Sequence, residues 1–387
     1  MELIFAQEAT PEKINKSVFL VGPTPRNSET QSWRPRMIQH LRDYGFSGTV
    51  FTPEPRDGNW SGNYIHQTEW ERRHLEMADV ILAWIPRELE HMPAFTTNVE
   101  FGRYVTSGRM FYGRPDNAPK TRYLDWLFET ETSYPPCNTM EDLAMSAVAA
   151  LDGKGADRTG GERYVPLNIW NTEAFQRWYA SQKAVGNRLD DARVLWNFTI
   201  PKIRMVFAYI LWVKVWIEAE QRWKENEFIF SRSDISSVLP IWKAKDILDS
   251  KVVLVKEFRS PVRNSDSFVH ELPGGSKFKG MGDEALKLAA EELTEETGLE
   301  IDPSRFYYLN DRQLASTLST HKAYLFAVEL TEDELALAEV KAKKMETFGV
   351  AEDSERTYVE VKTVRELLSS NDVDFSMLGM VLEGVTA

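Results

Sequence analysis

Apolar runs alternate with amphipathic segments over the first hundred residues. A continuous apolar run from Ser17 ends in a Gly-Pro turn, and residues 32–46 space their apolar side chains as a helix does. Two further strand-and-helix pairs follow, and the last helix, residues 96–108, opens with Thr and Asn side chains that are typical helix caps. Such alternation predicts an α/β domain with a parallel sheet flanked by helices.

Ligands of parallel α/β sheets bind at the carboxyl ends of the strands. In this chain those ends are the turn at Gly22 and Pro23, the Pro53-Glu54 pair and the region after Ile85. We therefore expect the pocket of the first domain there.

The pattern changes in the second half of the chain. From about Arg204 the apolar residues form strand-like runs, followed by a long helix and another strand, which predicts an α+β domain. The stretch 152–163 combines glycine with charge and lacks apolar periodicity, so it reads as a linker. We predict a first domain over 1–151, a linker and helical segment over 152–203, and a second domain over 204–387.

Composition narrows the possible partners and the compartment. The formal net charge of −13 disfavours binding to nucleic acid or to an anionic membrane surface. The single cysteine, Cys137, excludes an intrachain disulfide and a zinc-finger site, and the chain begins without a basic signal-peptide region. The longest apolar stretch, residues 205–217, is too short to span a bilayer. We expect a cytoplasmic protein with neither membrane nor nucleic acid as its partner.

A cluster of carboxylates follows the glycine pair Gly274-Gly275. On a helix, Glu292, Glu295 and Glu296 lie three and four residues apart and converge on one face, where like charges repel. The cluster is either a solvated acidic face or a cation site.

The segment "GGSKFKGMGDEALKLAAEELTEETGL" resembles the Nudix box. The resemblance implies a Nudix fold in which these three glutamates bind Mg²⁺ or Mn²⁺ for hydrolysis of a diphosphate linkage. Two positions depart from the pattern. Asp283 stands for the first glutamate of the box, and seven residues instead of five separate it from Gly275; Glu291 stands where the box has arginine. A site that binds nucleotide without hydrolysing it is therefore the alternative.

Residues around this segment resemble the ADP-ribose pyrophosphatase branch of the Nudix family. By that resemblance Arg259 contacts substrate phosphate or ribose, and Glu271 helps to hold the metal or the ligand. A general base in this branch comes from a late loop, where Glu352 is our preferred candidate. The alternatives are a surface arginine and a solvated acidic loop.

In the first domain, "TTNVEFG" places Glu100 near the start of a predicted helix. The positive end of the helix dipole would lower the pKa of this carboxyl and keep it ionised. An ionised glutamate in a pocket can attack an anomeric carbon, although favourable charge–dipole placement alone also explains it.

The segments "VFLVGPTPR", "EWERRHLEMADVILAWIPR" and "TTNVEFG" resemble, in this order, the nucleoside 2-deoxyribosyltransferase-like family over residues 16–151. The resemblance implies that Glu100 is the nucleophile that displaces a base from C1′. It also implies that Asp79 contacts base or sugar, with a helix-to-strand cap as the alternative, and that Gly22 and Pro23 shape the pocket floor.

One feature of that family is missing here, because its small transferases carry a second acidic residue shortly before the nucleophile. Candidates to replace it are Glu88, Glu90 and Asn98. Phosphate would be bound by an arginine near the strand ends, and the candidates are Arg26, Arg34, Arg36 and Arg87.

Together these features predict a bifunctional enzyme that acts on small nucleosides or nucleotides. Glu100 would cleave or transfer an N-glycosidic bond, and the second domain would hydrolyse an ADP-ribose-like or NAD-like linkage. The resemblances also imply a homodimer. The alternatives are a nucleotide sensor with a degenerate Nudix site and an acidic scaffold that associates through its aromatic middle segment.

Overall fold

The computed structural model describes residues 1–27, 29–59, 64–276, 284–349 and 355–387. They form two compact units, Met1–Ser231 and Arg232–Ala387. The domain boundary predicted at residue 204 thus lies inside the first unit. Among the described residues, no helix has both the length and the apolarity needed to cross a membrane.

The first unit begins with an alternating α/β region. Its strands are β1 (Glu2–Phe5), β2 (Lys13–Ile14), β3 (Ser17–Val21), β4 (Thr49–Thr52), β5 (Val80–Trp84) and β6 (Met110–Gly113). Its helices are α1 (Arg34–Asp43), α2 (Tyr64–Met77), α3 (Phe95–Tyr104), α4 (Arg122–Thr132) and α5 (Met140–Leu151).

Five of these strands form one sheet in the order β1-β4-β3-β5-β6, and every pairing is parallel. The predicted parallel sheet is confirmed, and the apolar pattern correctly located β3, β4 and β5. The two edge strands, β1 and β6, were not predicted.

Both faces of the sheet are covered, which is why its central strands are continuously apolar. Along β3, Val18 and Leu20 pack into one core together with α1 and α5, whereas Phe19 and Val21 pack into a second core with α2, α3 and α4. This alternation follows from the two-residue repeat of a strand.

The rest of the first unit was predicted as a linker and the start of another domain. It contains β7 (Arg158–Thr159), α6 (Leu167–Trp170), α7 (Glu173–Ala184), β8 (Arg188–Ile200), β9 (Met205–Ile217) and β10 (Arg222–Arg232). The last three strands form a sheet in the order β10-β9-β8. Tyr209 and Leu211 of β9 belong to the same core as α1 and α5, which explains why the unit continues to Ser231.

The segment expected to be a free linker is packed. Within it, β7 pairs with β2, and the side chain of Arg158 is fully buried. The glycines and charged residues of this stretch are therefore part of the folded first unit.

The second unit contains β11 (Ile235–Trp242), β12 (Lys251–Phe258), β13 (Phe268–Glu271), β14 (Gly274–Gly275), α8 (Ala285–Thr297), β15 (Tyr307–Gln313), β16 (Lys322–Glu329), α9 (Glu332–Lys344), β17 (Thr347–Phe348), β18 (Thr357–Thr363), α10 (Val364–Ser369) and α11 (Phe375–Thr386). Its main sheet runs β15-β16-β11-β12-β18-β17, with β11 and β16 parallel.

Helices cover both faces of this mixed sheet. Val238 and Val253 pack with α8 and α9, and Leu239 and Leu254 pack with α10 and α11. The unit is therefore a three-layer α/β/α sandwich.

Candidate functional sites

A buried arginine organises the carboxyl edge of the parallel sheet. Arg34, at the start of α1, is 1% exposed and donates from Nη2 to the carbonyl oxygen of Gly22 at 2.6 Å. Its Nη1 donates to Oε1 of Glu54 at 2.6 Å, and Ser32 Oγ also donates to that carboxylate. The ends of β3 and β4 are thereby joined at the predicted ligand position.

Gly22 lies where backbones approach closely. A Cβ at this position would overlap the carbonyl oxygen of Trp84 and the indole ring of Trp33. The next carbonyl, that of Pro23, accepts a hydrogen bond from Trp33 Nε1 at 3.1 Å. Gly22 and Pro23 thus shape this edge of the sheet.

Glu100 lies in the second turn of α3, beside Glu71 of α2 and Arg34. Burial raises the pKa of Glu100 to about 8, the Glu71 carboxylate raises it as well, and the charge of Arg34 opposes both effects. The expectation that the helix dipole lowers this pKa was wrong, because α3 begins at Phe95, leaves no acidic residue in its first turn, and is capped by Ala94 rather than by Thr or Asn.

Glu71 is the acidic neighbour that the sequence analysis missed. Gln67 Nε2 donates to its Oε1 at 2.6 Å, and burial raises the pKa of Glu71 above its ordinary value. Glu71 precedes Glu100 by twenty-nine residues, so a search shortly before the nucleophile does not find it. The signal was present in the motif "EWERR", where Glu71 sits in the middle of α2.

The three candidates for this acidic position have other roles in the structure. The Glu88 carboxylate is in a turn, where it accepts from the backbone N–H groups of Glu90 and His91 at 2.9 and 2.6 Å. Glu90 is exposed, and Asn98 accepts from Arg87 through its side-chain oxygen. Asn98 also points to a different face of α3 from Glu100, because residues two apart on a helix do not face each other.

Asp79 lies at the opposite edge of the sheet. It precedes β5, and its carboxylate accepts from Ser17 N at 2.7 Å, from Leu167 N at 2.8 Å and from two nitrogens of Arg158 at 2.8 and 2.6 Å. The side chain is fully buried. A contact between Asp79 and a ligand at the carboxyl edge is therefore contradicted, and the alternative of a helix-to-strand cap describes it better.

In the second unit, α8 directs two of the three predicted metal ligands toward β14. Glu296 is buried and accepts from Gly274 N at 3.0 Å, and a Cβ on Gly275 would overlap the Glu292 carboxylate. Burial raises the pKa of Glu296 to about 9, the Gly274 N–H opposes this, and nearby carboxylates raise it further: those of Glu292, Glu271 and Glu355. Glu295, by contrast, is exposed.

Glu271 and Arg259 border the same acidic group. Burial raises the pKa of Glu271 to about 7, while the positive charge of Arg259 lowers it. Arg259 Nη2 lies 2.7 Å from Glu257 Oε2 and 3.7 Å from Glu355 Oε1. The structure thus brings Glu271 close to Glu296 of α8, and it brings Arg259 close to Glu271. Glu352 and Asp283 lie outside the described residues.

These carboxylates suit a divalent cation in their chemistry more than in their spacing. Four of them influence one another, and hard oxygen donors are the ligands that Mg²⁺ and Mn²⁺ prefer. Within the described ranges, however, no group of three His, Cys, Asp or Glu side chains is close enough to hold a metal ion. The carboxylate oxygens therefore lie in one region of the second unit but are not arranged as a coordination shell.

Glu291, which stands where the Nudix box has arginine, pairs with a lysine on its own helix. Lys287 Nζ lies 3.5 Å from Glu291 Oε1, in an exposed pair four residues apart. The positive charge at this part of α8 comes from a solvated lysine.

A family model matches part of the first unit. Residues 15–117 match the family model described as Nucleoside 2-deoxyribosyltransferase like, and no curated protein matches the chain. The five-stranded parallel sheet with its helices fits a fold of that kind. The matched segment contains Gly22, Arg34, Glu54, Glu71 and Glu100.

Proposed function

We propose that the first unit cleaves the N-glycosidic bond of a nucleoside or nucleotide, with Glu100 as nucleophile. The observation that carries the proposal is the placement of Glu100 beside Glu71 and Arg34 in the segment that matches the family model. Two neighbouring carboxyl groups with raised pKa values can divide the roles of acid and nucleophile between them.

The two carboxyl groups are expected to titrate as a coupled pair, because the Glu71 carboxylate raises the pKa of Glu100. In the reactive state Glu100 is ionised and Glu71 carries the proton. A Glu100 oxygen bonds to C1′, the C1′–N bond breaks, and its electron pair goes to the leaving base, which takes the proton of Glu71. Water then attacks C1′ of the glycosyl ester and gives its proton to the Glu71 carboxylate, while the C1′–O bond to Glu100 breaks and Glu100 leaves as a carboxylate.

Arg34 and Glu54 are positioning residues in this mechanism. Arg34 favours the ionised form of Glu100 and joins α1 to the Gly22 carbonyl and the Glu54 carboxylate. Attack by a second base in place of water would give deoxyribosyl transfer through the same intermediate.

For the second unit we propose hydrolysis of a nucleoside diphosphate-type linkage, such as that of ADP-ribose or NAD. Glu292, Glu296 and Glu271 would hold Mg²⁺ or Mn²⁺, joined by Glu295 after a side-chain movement, and Arg259 would contact the substrate. Bound metal would offset the diphosphate charge and lower the pKa of a water molecule. The mutual repulsion of the carboxylates supports this proposal.

Incubation with NAD and Mg²⁺, followed by mass spectrometry of the products, tests both activities. The wild type is expected to release nicotinamide and AMP. Glu100→Gln should stop nicotinamide release while ADP-ribose still yields AMP, and Glu296→Gln should do the reverse. Absence of both products from NAD and from a panel of nucleosides would contradict the proposal.

A nucleotide sensor is the second candidate for the α8 site. It is favoured by Glu291 at the arginine position and by the absence of a three-ligand group among the residues described. Binding of ADP-ribose to the wild type without turnover, weakened by Arg259→Ala, would support the sensor. We also propose that the protein acts as a cytoplasmic homodimer.

A further inference from the structure

The first unit contains a cavity of about 530 Å³. Its walls are residues 103–109, the end of α4, residues 194–199 of β8, and Arg204. Arg109 directly precedes β6 and Glu76 lies at the end of α2, so the cavity faces the amino edge of the parallel sheet. It is therefore separate from Glu100 and its neighbours at the carboxyl edge.

A buried hydroxyl in this wall lacks a partner. Tyr104 is 7% exposed, and among the described residues its hydroxyl makes no hydrogen bond. Burying such a group is unfavourable unless a donor or an acceptor meets it. Tyr104 lines the cavity, but its hydroxyl oxygen is closed off from solvent, so a ligand would reach this group only after a local movement.

Arginines give the cavity a local excess of positive charge. Its wall contains Arg103, Arg109 and Arg204 against two carboxylates, Glu76 and Glu131, in a protein whose net charge is −13. Arg103 Nη2 lies 3.3 Å from Glu76 Oε1, which leaves its other nitrogens for a ligand. This local sign favours an anionic ligand.

Arg109 is the arginine best placed to hold an anion. Its Nη1 donates to the carbonyl oxygens of Leu75, Glu76 and Ala78, which fixes the guanidinium at the end of α2. Its other two nitrogens donate to no residue that the structure describes. A fixed guanidinium with spare donors suits a phosphate group.

Two aromatic side chains line the same cavity. Trp196 is 48% exposed although it lines the cavity, and Phe198 beside it is also half exposed. Exposed rings of this kind are stacking surfaces for planar heterocycles. The cavity volume falls within the range of small-molecule sites.

We propose that this cavity binds a nucleoside monophosphate, with its base against Trp196 and its phosphate at Arg109 and Arg103. The site needs no catalysis and does not depend on the function proposed above.

Isothermal titration of the full chain with AMP and with adenosine tests the proposal. We expect saturable AMP binding and about tenfold weaker adenosine binding, because adenosine lacks the phosphate. Trp196→Ala should weaken AMP binding about tenfold, as base–aromatic stacking predicts. Trp126→Ala is the matched control, because Trp126 is 57% exposed on α4 and, among the aromatic side chains that the structure describes, stacks only with Tyr123.

Three results would overturn the proposal. The first is no saturable AMP binding. The second is equal AMP affinity in the Trp196→Ala and Trp126→Ala variants, which would place AMP elsewhere, including the Glu100 pocket. The third is a shift from dimer to monomer in Trp196→Ala by sedimentation without any AMP binding, which would make Trp196 and Phe198 part of a self-association surface.

Discussion

Arg158 and Asp79 form a fully buried two-pronged ion pair, with Nη2–Oδ2 and Nη1–Oδ1 distances of 2.6 and 2.8 Å. Arg158 also donates to the carbonyl oxygen of Val165 at 2.6 Å, and Asp79 accepts from Ser17. The pair connects the start of β5 to a segment seventy-nine residues later in the chain.

We predict that Arg158→Met destabilises the first unit by about 3–5 kcal/mol, because it leaves the Asp79 carboxylate buried without its counter-ion. The measurement is the unfolding midpoint in urea. Asp157→Asn is the control, since Asp157 pairs with Lys13 on the surface and its loss should leave the midpoint unchanged. Equal midpoints for the two variants would contradict the structural role of the buried pair.

Glu100→Gln should stabilise the protein in a pH-dependent way. Burial raises the pKa of Glu100 from the ordinary value of 4.5 to about 8. Between these two pH values the unfolded state loses the proton of this carboxyl group while the folded state keeps it, and this difference destabilises the folded wild type. The resulting loss of unfolding free energy in the wild type is absent below pH 4.5, grows between pH 4.5 and 8, and reaches its full value above pH 8. The unfolding free energies of variant and wild type should agree at pH 4 and differ by about 1–3 kcal/mol at pH 8, as measured by chemical denaturation. A constant difference across this range would contradict the raised pKa.

Mg²⁺ should raise the melting temperature of the second unit, because a ligand that binds only the folded state stabilises it. Glu296→Gln and Glu271→Gln should reduce that response. Glu300→Gln is the control, since Glu300 is exposed beyond the end of α8. The Glu295→Gln variant shows whether Glu295 also joins the site. An unchanged response in Glu296→Gln would exclude this carboxylate as a ligand.

Two glycines of the first unit should respond oppositely to alanine. Gly22→Ala places a Cβ against the Trp84 carbonyl and the Trp33 ring, and we expect a loss of about 2 kcal/mol or more. Gly102, inside α3, has no atoms within 4 Å of an added Cβ, so Gly102→Ala should stabilise by about 0.5–1 kcal/mol. Chemical denaturation measures both, and a neutral Gly22→Ala would rule out the close approach.

Local patterns were sufficient for the centre of the first sheet. β3 after Ser17 and the whole of β5 are apolar, because helices cover both sides of the sheet, and Gly22 marks the end of a strand. β1 and β6 have only four residues each and lie at the edges, so their apolar signal is short. The boundary at Ser231 depends on the packing of β9 against α1 and α5, which the sequence pattern does not report.

The residues of the candidate sites also divide into those that a local motif reveals and those that only tertiary packing brings to the site. Motif spacing located Glu100, Glu292 and Glu296, which lie on helices beside strand ends. Glu71 and Arg34 come from other elements and meet Glu100 only through tertiary packing. The role of Arg158 was not predicted, because a buried arginine in a glycine-rich stretch looks like solvated charge in the sequence.

The Arg158–Asp79 pair also restricts how this chain can be rearranged. Residues 15–117 match a family model, yet the counter-ion of their Asp79 is supplied from β7 and the neighbouring core from β8 and β9. A chimaera that transplants only the matched segment would carry an orphaned buried charge into its new host. Recombination that preserves this half of the protein should instead exchange the whole block from Met1 to Ser231.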